Sequence, residues 1–316
     1  MGVLLLWLLA GGLAALVAVR VVGAERGSGL ALLMGALPLA LLPSYVVLAV
    51  AAALRRRALT ALAAALVAAH LLVVAPALGA APLPEDAAGA PSLRVVTVNL
   101  YVVNPDPEGT GRVLRTLEPD VLVVPELSAG GLAGLRASGL LDDLPHSVLD
   151  LGPRQESVGL FSRYPLQDVT RRAGAGRILP RATVTVAGAQ VRVVTAHPLP
   201  PISGFESLWR RSLADLATDV DAVSLPIVVA GDLNADRDHA PFRALLRTGL
   251  RDAHDERGRG LARTWPSSTP LLHLDHVLVR DGTGADLEVL RVAEVELPGS
   301  DHLAVVADLA VISRER

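Results

Sequence analysis

Residues 226–234 read Pro226-Ile227-Val228-Val229-Ala230-Gly231-Asp232-Leu233-Asn234. A short apolar run rich in β-branched side chains, entered from a proline and left through a glycine, predicts a buried strand. The chain then turns and presents a carboxylate and an amide two residues apart. Taken alone, Asp232 and Asn234 make an ordinary Asx turn with Gly231. The same event recurs along the chain, however. Residues 93–98 run into Asn99, 121–125 into Glu126, and 191–196 into His197. His273-Leu274-Asp275-His276 opens a run at 277–279, and Gly299-Ser300-Asp301-His302 opens the last one. Only three asparagines occur in the chain, and two of them sit at these ends. Polar groups gathered where apolar strands stop are what a rigid scaffold offers at a functional site.

Outward from this stretch, short apolar runs separated by turn residues predict strands at 93–99, 120–126, 147–151, 157–162, 181–186, 190–197, 226–231, 274–280, 286–295 and 302–311. Helices are predicted at 107–117, 130–138, 205–222 and 240–248. Many short strands with few helices suggest two sheets packed together with helices outside. Residues 93–316 are ample for one buried core. No internal repeat interrupts them.

The first part of the chain obeys a different solvent. Of 316 residues, 51% are hydrophobic and 19% charged, and mean hydropathy is +0.45, which excludes a disordered chain. Residues 1–91 hold five arginines (20, 26, 55, 56 and 57) against Glu25, Glu85 and Asp86. The rest of the chain holds more acids than arginines. That balance argues against a protein that coats nucleic acid electrostatically. There is no lysine and no cysteine, so disulfides, thiolate metal sites and thiol catalysis are excluded. The all-arginine basic set, with its Ala, Leu, Val and Gly excess, reads as codon bias.

Three apolar runs, 3–22, 29–54 and 58–81, each have the length that crosses a ~30 Å hydrocarbon core at about 1.5 Å per residue. They predict a three-helix transmembrane region over 1–81, with Pro38 and Pro43 kinking the second helix. A signal peptide fits less well, because no basic residue precedes the first run. The Arg55-Arg56-Arg57 cluster between the second and third runs is expected on the cytoplasmic side, leaving the chain beyond residue 81 outside. His70, inside the third run, is expected to be neutral and to face a neighbouring helix. Residues 82–92, rich in Ala, Pro and Gly, read as an extended linker to a domain over 93–316.

Each polar strand end has a plain reading: Asn99 as a turn cap, Glu126 as an exposed end, Asp275 and His276 as surface decoration. Together, carboxylates, an amide and imidazoles arriving from separate strands suit a hard, oxygen-ligated cation such as Mg²⁺. Zinc is less well served. His273 and His276 are the nearest pair, and a strand would set them on opposite faces.

The ordered set of these stretches resembles the endonuclease/exonuclease/phosphatase superfamily, which includes deoxyribonucleases, inositol polyphosphate 5-phosphatases and bacterial sphingomyelinases. The resemblance rests on Val95-Val96-Thr97-Val98-Asn99, Pro119-Asp120-Val121 through Glu126, Ser157-Val158-Gly159-Leu160-Phe161-Ser162-Arg163, and Thr195-Ala196-His197-Pro198. It continues with Gly231-Asp232-Leu233-Asn234, Leu274-Asp275-His276-Val277 and Ser300-Asp301-His302. It implies an α/β fold, a four-layered sandwich of two mixed sheets flanked by helices. It also implies an Mg²⁺ ion, with Mn²⁺ as the alternative, on Glu126 with Asn99 and Asp301. Asp232 would orient or deprotonate the attacking water, and Asn234 would hold a phosphate oxygen or that water. His302, its tautomer fixed by Asp275, and His197 would hold the phosphate oxygens.

Two positions depart from the wider pattern: Tyr101, where many nucleases of the family carry an acid, and His273, where arginine is common. Both weaken a DNA-repair reading. Arg154 and Arg163 are read as surface residues, with substrate contact as the alternative. Trp209 is expected in a core or interface, Thr264-Trp265-Pro266 in a loop packed beside the site with substrate contact as the alternative, and His239 and His254 at the surface. The resulting expectation is a multi-pass protein of a bacterial cell membrane whose outward domain hydrolyses a phosphoester. Its partners would be that substrate (a lipid, a small molecule or nucleic acid) and the bilayer, and no protein partner is implied. The alternative is an inactive domain of the same fold that binds or scaffolds.

Overall fold

The computed structural model describes residues 1–150, 157–174, 177–202 and 204–314. The apolar N-terminal part folds into helices α1 (Gly2–Val22), α2 (Ser28–Gly35), α3 (Leu37–Ala40), α4 (Pro43–Ala53) and α5 (Arg57–Val74). α1 and the stretch Arg57–Ala77 are each long and apolar enough to cross a bilayer. The middle run is not the single kinked helix that the sequence predicts. It breaks at Ala36, and α2 stands at 83° to the length Leu37–Ala53, so it makes a third span only if the bent pair crosses as one. Pro38 cannot donate the hydrogen bond back to Met34 that would carry the helix across the break. The helices share a core of Leu13, Met34, Leu41, Val47, Leu59 and Leu66. His70 faces the neighbouring α4, with Nδ1 3.1 Å from the Tyr45 hydroxyl.

The second part runs β1 (Ser92–Thr97), α6 (Pro107–Thr116), β2 (Val121–Pro125), α7 (Ala129–Ala137), α8 (Leu140–Asp143), β3 (His146–Asp150), β4 (Val158–Ser162), β5 (Gln167–Gly174), β6 (Arg177–Val186) and β7 (Ala189–Ala196). It continues with α9 (Glu206–Asp221), β8 (Ile227–Asp232), α10 (Ala240–Leu246), β9 (Arg251–Asp252), α11 (Ala253–Glu256), β10 (Asp275–Arg280), β11 (Ala285–Val295) and β12 (Ala304–Ser313). Two six-stranded sheets result, ordered β11-β12-β1-β2-β4-β3 and β5-β6-β7-β8-β10-β9. Each is mixed: β1 and β2 pair in parallel, as do β7 and β8, and the other pairs are antiparallel.

Alternation along strands buried on both faces explains the layers. Val95, Val123, Val193, Val228 and Val277 point into the space between the sheets. Their neighbours Val96 and Val124 point outward onto Leu114 of α6 and Leu135 of α7. Ile227 and Val229 likewise meet Trp209 and Leu213 of α9 and Phe242 of α10. Trp209 is thus a core residue, one of the two expectations for it.

The edge strand β5 and the first residues of β6 are not predicted from the sequence. Gln167–Arg171, in the first part of β5, are exposed in succession, so no apolar alternation marks this strand in the sequence. The linker is held at its start: Ala80 bridges to Arg257, and the Ala81 N–H donates to the Glu256 carbonyl at 2.9 Å. At the other helical end, Arg20 pairs with Asp238 at 2.7 Å.

Candidate active site

The two parallel strand pairs end at the same edge of the sandwich. Asn99 follows β1 and Glu126 follows β2. In the second sheet Ala196 lies beside Gly231, so His197 and Asp232 leave together. The antiparallel partner β10 begins with Asp275 directly opposite Asp232. The loop into β12 brings in Asp301 and His302. Register alone therefore gathers groups that lie 203 positions apart at the extremes (Asn99 and His302).

Asn99 Nδ2 donates to Asp232 Oδ2 at 3.0 Å and to Glu126 Oε1 at 3.2 Å, tying the two sheets together across the site. Its Oδ1 accepts from the Tyr101 N–H at 3.0 Å, and Glu126 Oε2 accepts from the Val102 N–H at 3.1 Å. Asp232 Oδ1 accepts from the Asn234 N–H at 2.8 Å, and Asn234 Nδ2 donates to the Pro198 carbonyl at 3.1 Å. His302 Nδ1 donates to Asp275 Oδ2 at 2.8 Å. Its Nε2 stands 4.0 Å from Asp232 Oδ2, and His197 Nε2 stands 3.9 Å from that same oxygen and 4.0 Å from Glu126 Oε1. Those separations are too long for hydrogen bonds. They leave two imidazole nitrogens and the two carboxylates around one open space.

Tyr101, Glu126 and Asn234 all adopt positive φ (63°, 55° and 49°). Such conformations cost stability for residues other than glycine and collect where geometry serves function.

The balance of charge is negative. Burial, then the Asp275 charge, push Asp232 up to about 6, against the pull of His302. Burial would lower His302, but the Asp275 charge and hydrogen bond override it and raise the imidazole to about 10. Asp232, Asp275 and His302 place ligand-type atoms within 4.8 Å of one another. With Glu126 and Asp301 close by, four carboxylates face one imidazolium. Oxygen-rich donors and excess negative charge are what a hard divalent cation needs, so the residues fit such an ion.

Seven of the eight residues singled out in the sequence (Asn99, Glu126, His197, Asp232, Asn234, Asp301 and His302) line one cavity of ≈ 280 Å³. The eighth, Asp275, sits behind His302. Trp265 lies beside the site as expected, its Nε1 donating to Asp301 Oδ2 at 3.3 Å. Sequence reasoning missed Ser300, whose Oγ donates to the Asn99 carbonyl at 2.7 Å and accepts the His302 N–H at 3.0 Å. Thr264, in the loop expected beside the site, has an Oγ1 that accepts the N–H groups of Leu274 and Asp275. No sequence signal marks a serine or threonine that braces a neighbour. Arg163 turns away, with Nε 3.4 Å from Asp120, and Arg154 lies outside the described residues.

Three histidine expectations are corrected. His239 is buried and donates from Nε2 to the Ala31 carbonyl of α2 at 2.9 Å, so it joins the two parts of the chain. His254 is fully buried rather than exposed. His273 and His276 do not diverge, because β10 starts at Asp275 and leaves His273 outside the strand; their rings stack 4.2 Å apart. His276 bridges Asp252 (2.6 Å) and the Ala235 carbonyl (2.8 Å), and His254 pairs with Glu294 at 2.9 Å.

This network makes a prediction. Burial opposes both charges, but Asp252 and then Glu294 raise His254 to about 9 from 6.5, and His254 and Arg259 lower Glu294 to about 2 from 4.5. The His254 contribution is complete below pH 6.5 and lost as pH rises through 9. The Glu294 contribution is complete above pH 4.5 and lost as pH falls through 2. The melting-temperature gap between wild type and Glu294→Gln should be widest between pH 4.5 and 6.5, close as pH falls through 2, and narrow above pH 9 to what the Arg259 pair supplies. A gap independent of pH would show that the pair is electrostatically idle.

Residues 96–302, more than half of the chain, match the Endonuclease/Exonuclease/phosphatase family. The chain belongs to that family. No curated protein matches significantly. Among solved structures, humanized TDP2 of D. rerio shares 16% identity over 69% of this chain and 98% of its own, with a TM-score of 0.56. Beta toxin of Staphylococcus aureus, as a double mutant with bound magnesium ions, shares 15% over 68% and 99%, at 0.52. Sphingomyelinase C of Streptomyces griseocarneus shares 20% over 69% and 99%, at 0.50. These likenesses establish the endonuclease/exonuclease/phosphatase fold for the second part of the chain. The span matched to the family runs from the end of β1 to His302, so it takes in the whole polar edge of the sandwich.

Proposed function

We propose that this chain is a membrane-bound, divalent-cation-dependent phosphoester hydrolase whose catalytic domain lies outside the cytoplasm. The observation that carries the reading is the line Asp275–His302–Asp232, with its 2.8 Å bond and its 4.0 Å gap opening on the cavity. Glu126, with Asp301 and Asn99, would hold Mg²⁺ or Mn²⁺, which supplies charge relief to the phosphate oxygens. Asp232, fixed by Asn99 and the Asn234 N–H, positions the attacking water and takes its proton. His302, held in one tautomer by Asp275, offers its Nε2–H to a phosphate oxygen, and His197 offers a second donor from across the site. The magnesium ions of the beta toxin structure support the choice of ion.

The orientation rests on the arginines. Arg55, Arg56 and Arg57 cluster between α4 and α5, against Arg20 and Arg26 at the opposite end of the helices. The test is turnover of methyl 4-nitrophenyl phosphate by the full chain in detergent, with Mg²⁺, Mn²⁺ or EDTA. Turnover that needs the ion and disappears in His302→Ala is the expected result. Neither turnover nor ion binding by the folded chain would replace this reading with a binding or scaffolding role.

A further inference from the structure

The cavity that holds Asp232 and His302 is not built by the hydrolase domain alone. Ala31, Leu32 and Gly35, all on α2 of the apolar N-terminal part, form one of its walls. The contact is close and specific. The Ala31 carbonyl takes the His239 hydrogen bond, and a Cβ added at Gly35 would lie 3.2 Å from His239 Cε1 and 3.3 Å from Leu272 Cδ2. The flanking helices are clamped as well. Arg20 reaches Asp238, Glu25 Oε1 accepts the Ala240 N–H at 2.6 Å, and the Ala77 carbonyl accepts the Gly260 N–H at 3.0 Å. The site is therefore fixed relative to the helices.

The walls have a direction. At the inner end stand the carboxylates and imidazoles. At the outer end stand Leu32 and Ile202, which both line the cavity and remain 47% and 41% exposed. Leu271, beside the cavity residue Leu272, is 47% exposed, and Leu33 on α2 is 44% exposed. No arginine is among the described residues that line the cavity. A nucleic-acid strand needs cations along its path. The apolar track instead suits a chain of methylenes. The 83° bend adds a location: it turns α2 off the length Leu37–Ala53 and sets it against the cavity, so that the apolar part of the chain supplies a wall of the site.

We infer that the substrate is an amphiphilic phosphoester held in the same bilayer, its phosphate at the polar end of the cavity and its first alkyl segment against Leu32 and Ile202. This inference rests on the hydrolase reading and adds to it a substrate class and a role for α2.

The test uses the full chain in phosphatidylcholine vesicles and two substrates with one reacting group. Hexadecyl 4-nitrophenyl phosphate is dispersed in the vesicles, and methyl 4-nitrophenyl phosphate is dissolved in the buffer. The measured quantity is the ratio of the two kcat/KM values. In wild type the hexadecyl ester should be preferred. In Leu32→Asp, and separately in Ile202→Asp, the ratio should fall about tenfold, the worth of roughly two buried methylenes. The methyl ester reports on folding and on the chemistry, and the second variant covers the case in which the first fails to fold. A ratio unchanged in both variants, or no preference in wild type, would overturn the inference while methyl-ester turnover left the hydrolase standing. No turnover of either ester would overturn both.

Discussion

Asp232→Asn should lower kcat on methyl 4-nitrophenyl phosphate by about 10³-fold, within the range that a positioned general base supplies. The substitution keeps the shape of the side chain and its acceptor for the Asn234 N–H. It removes the negative charge and places an amide against the Asn99 Nδ2 that donates to Asp232 Oδ2 at 3.0 Å. The proton of the attacking water then has nowhere to go, while the groups that grip the phosphate are untouched. The loss should therefore appear in kcat, with KM changed by less than about threefold. A second measurement separates this from damage to the fold. Burial and the Asp275 charge both oppose ionised Asp232, so in EDTA the variant should melt above wild type. A loss of less than about tenfold in kcat would remove Asp232 from the role of base.

Gly231→Ala should be among the most destabilising single methyl additions in the chain, at about 3 kcal/mol or more. Gly231 has φ 148°, and a Cβ there would stand 1.9 Å from the Ala196 carbonyl oxygen and 2.8 Å from its carbon. The obstacle is backbone, so no side chain can swing away. It also belongs to the rung Ala196–Gly231, the parallel pairing that sends His197 and Asp232 out side by side. Relief requires the two strands to part at the point where they aim the site. The melting temperature should drop by about 10 °C, and turnover by the remaining folded protein should fall with it. Gly188→Ala supplies the comparison. Gly188 also has positive φ (88°) but has no atom within 4 Å of the added methyl, so only the backbone strain of about 1 kcal/mol should appear. Equal effects at the two positions would mean that conformation, not the Ala196 contact, fixes residue 231 as glycine.

Much of the catalytic edge is legible because it is written locally. A strand buried on both faces is apolar throughout, so the first polar residue after it marks where the strand meets open space. Asn99, Glu126, His197 and Asp232 are all found by that rule, and they all reach the cavity. The ends of the last strands give Asp275, Asp301 and His302 by the same reasoning. The rule fails where the polar residue has no strand to announce it. His254 sits on the short helix α11 and His273 in a loop, and both are buried because Asp252, Glu294 and His276 surround them. Nothing in their immediate neighbours distinguishes them from surface residues.

The apolar helices, the two-sheet domain and the set of groups at its edge all follow from local pattern along the chain. Periodicity and strand length report which residues leave water, and burial of the backbone forces the rest. The break of the middle helix at Ala36 and the closing of the cavity by α2 come instead from packing between distant segments. So do the contacts by which His239, Arg20 and Asp238 join the two parts. Those contacts depend on which buried surface meets which, and hydrophobic pattern carries no address: Leu32 looks the same in a sequence whether it faces lipid, a neighbouring helix or the substrate.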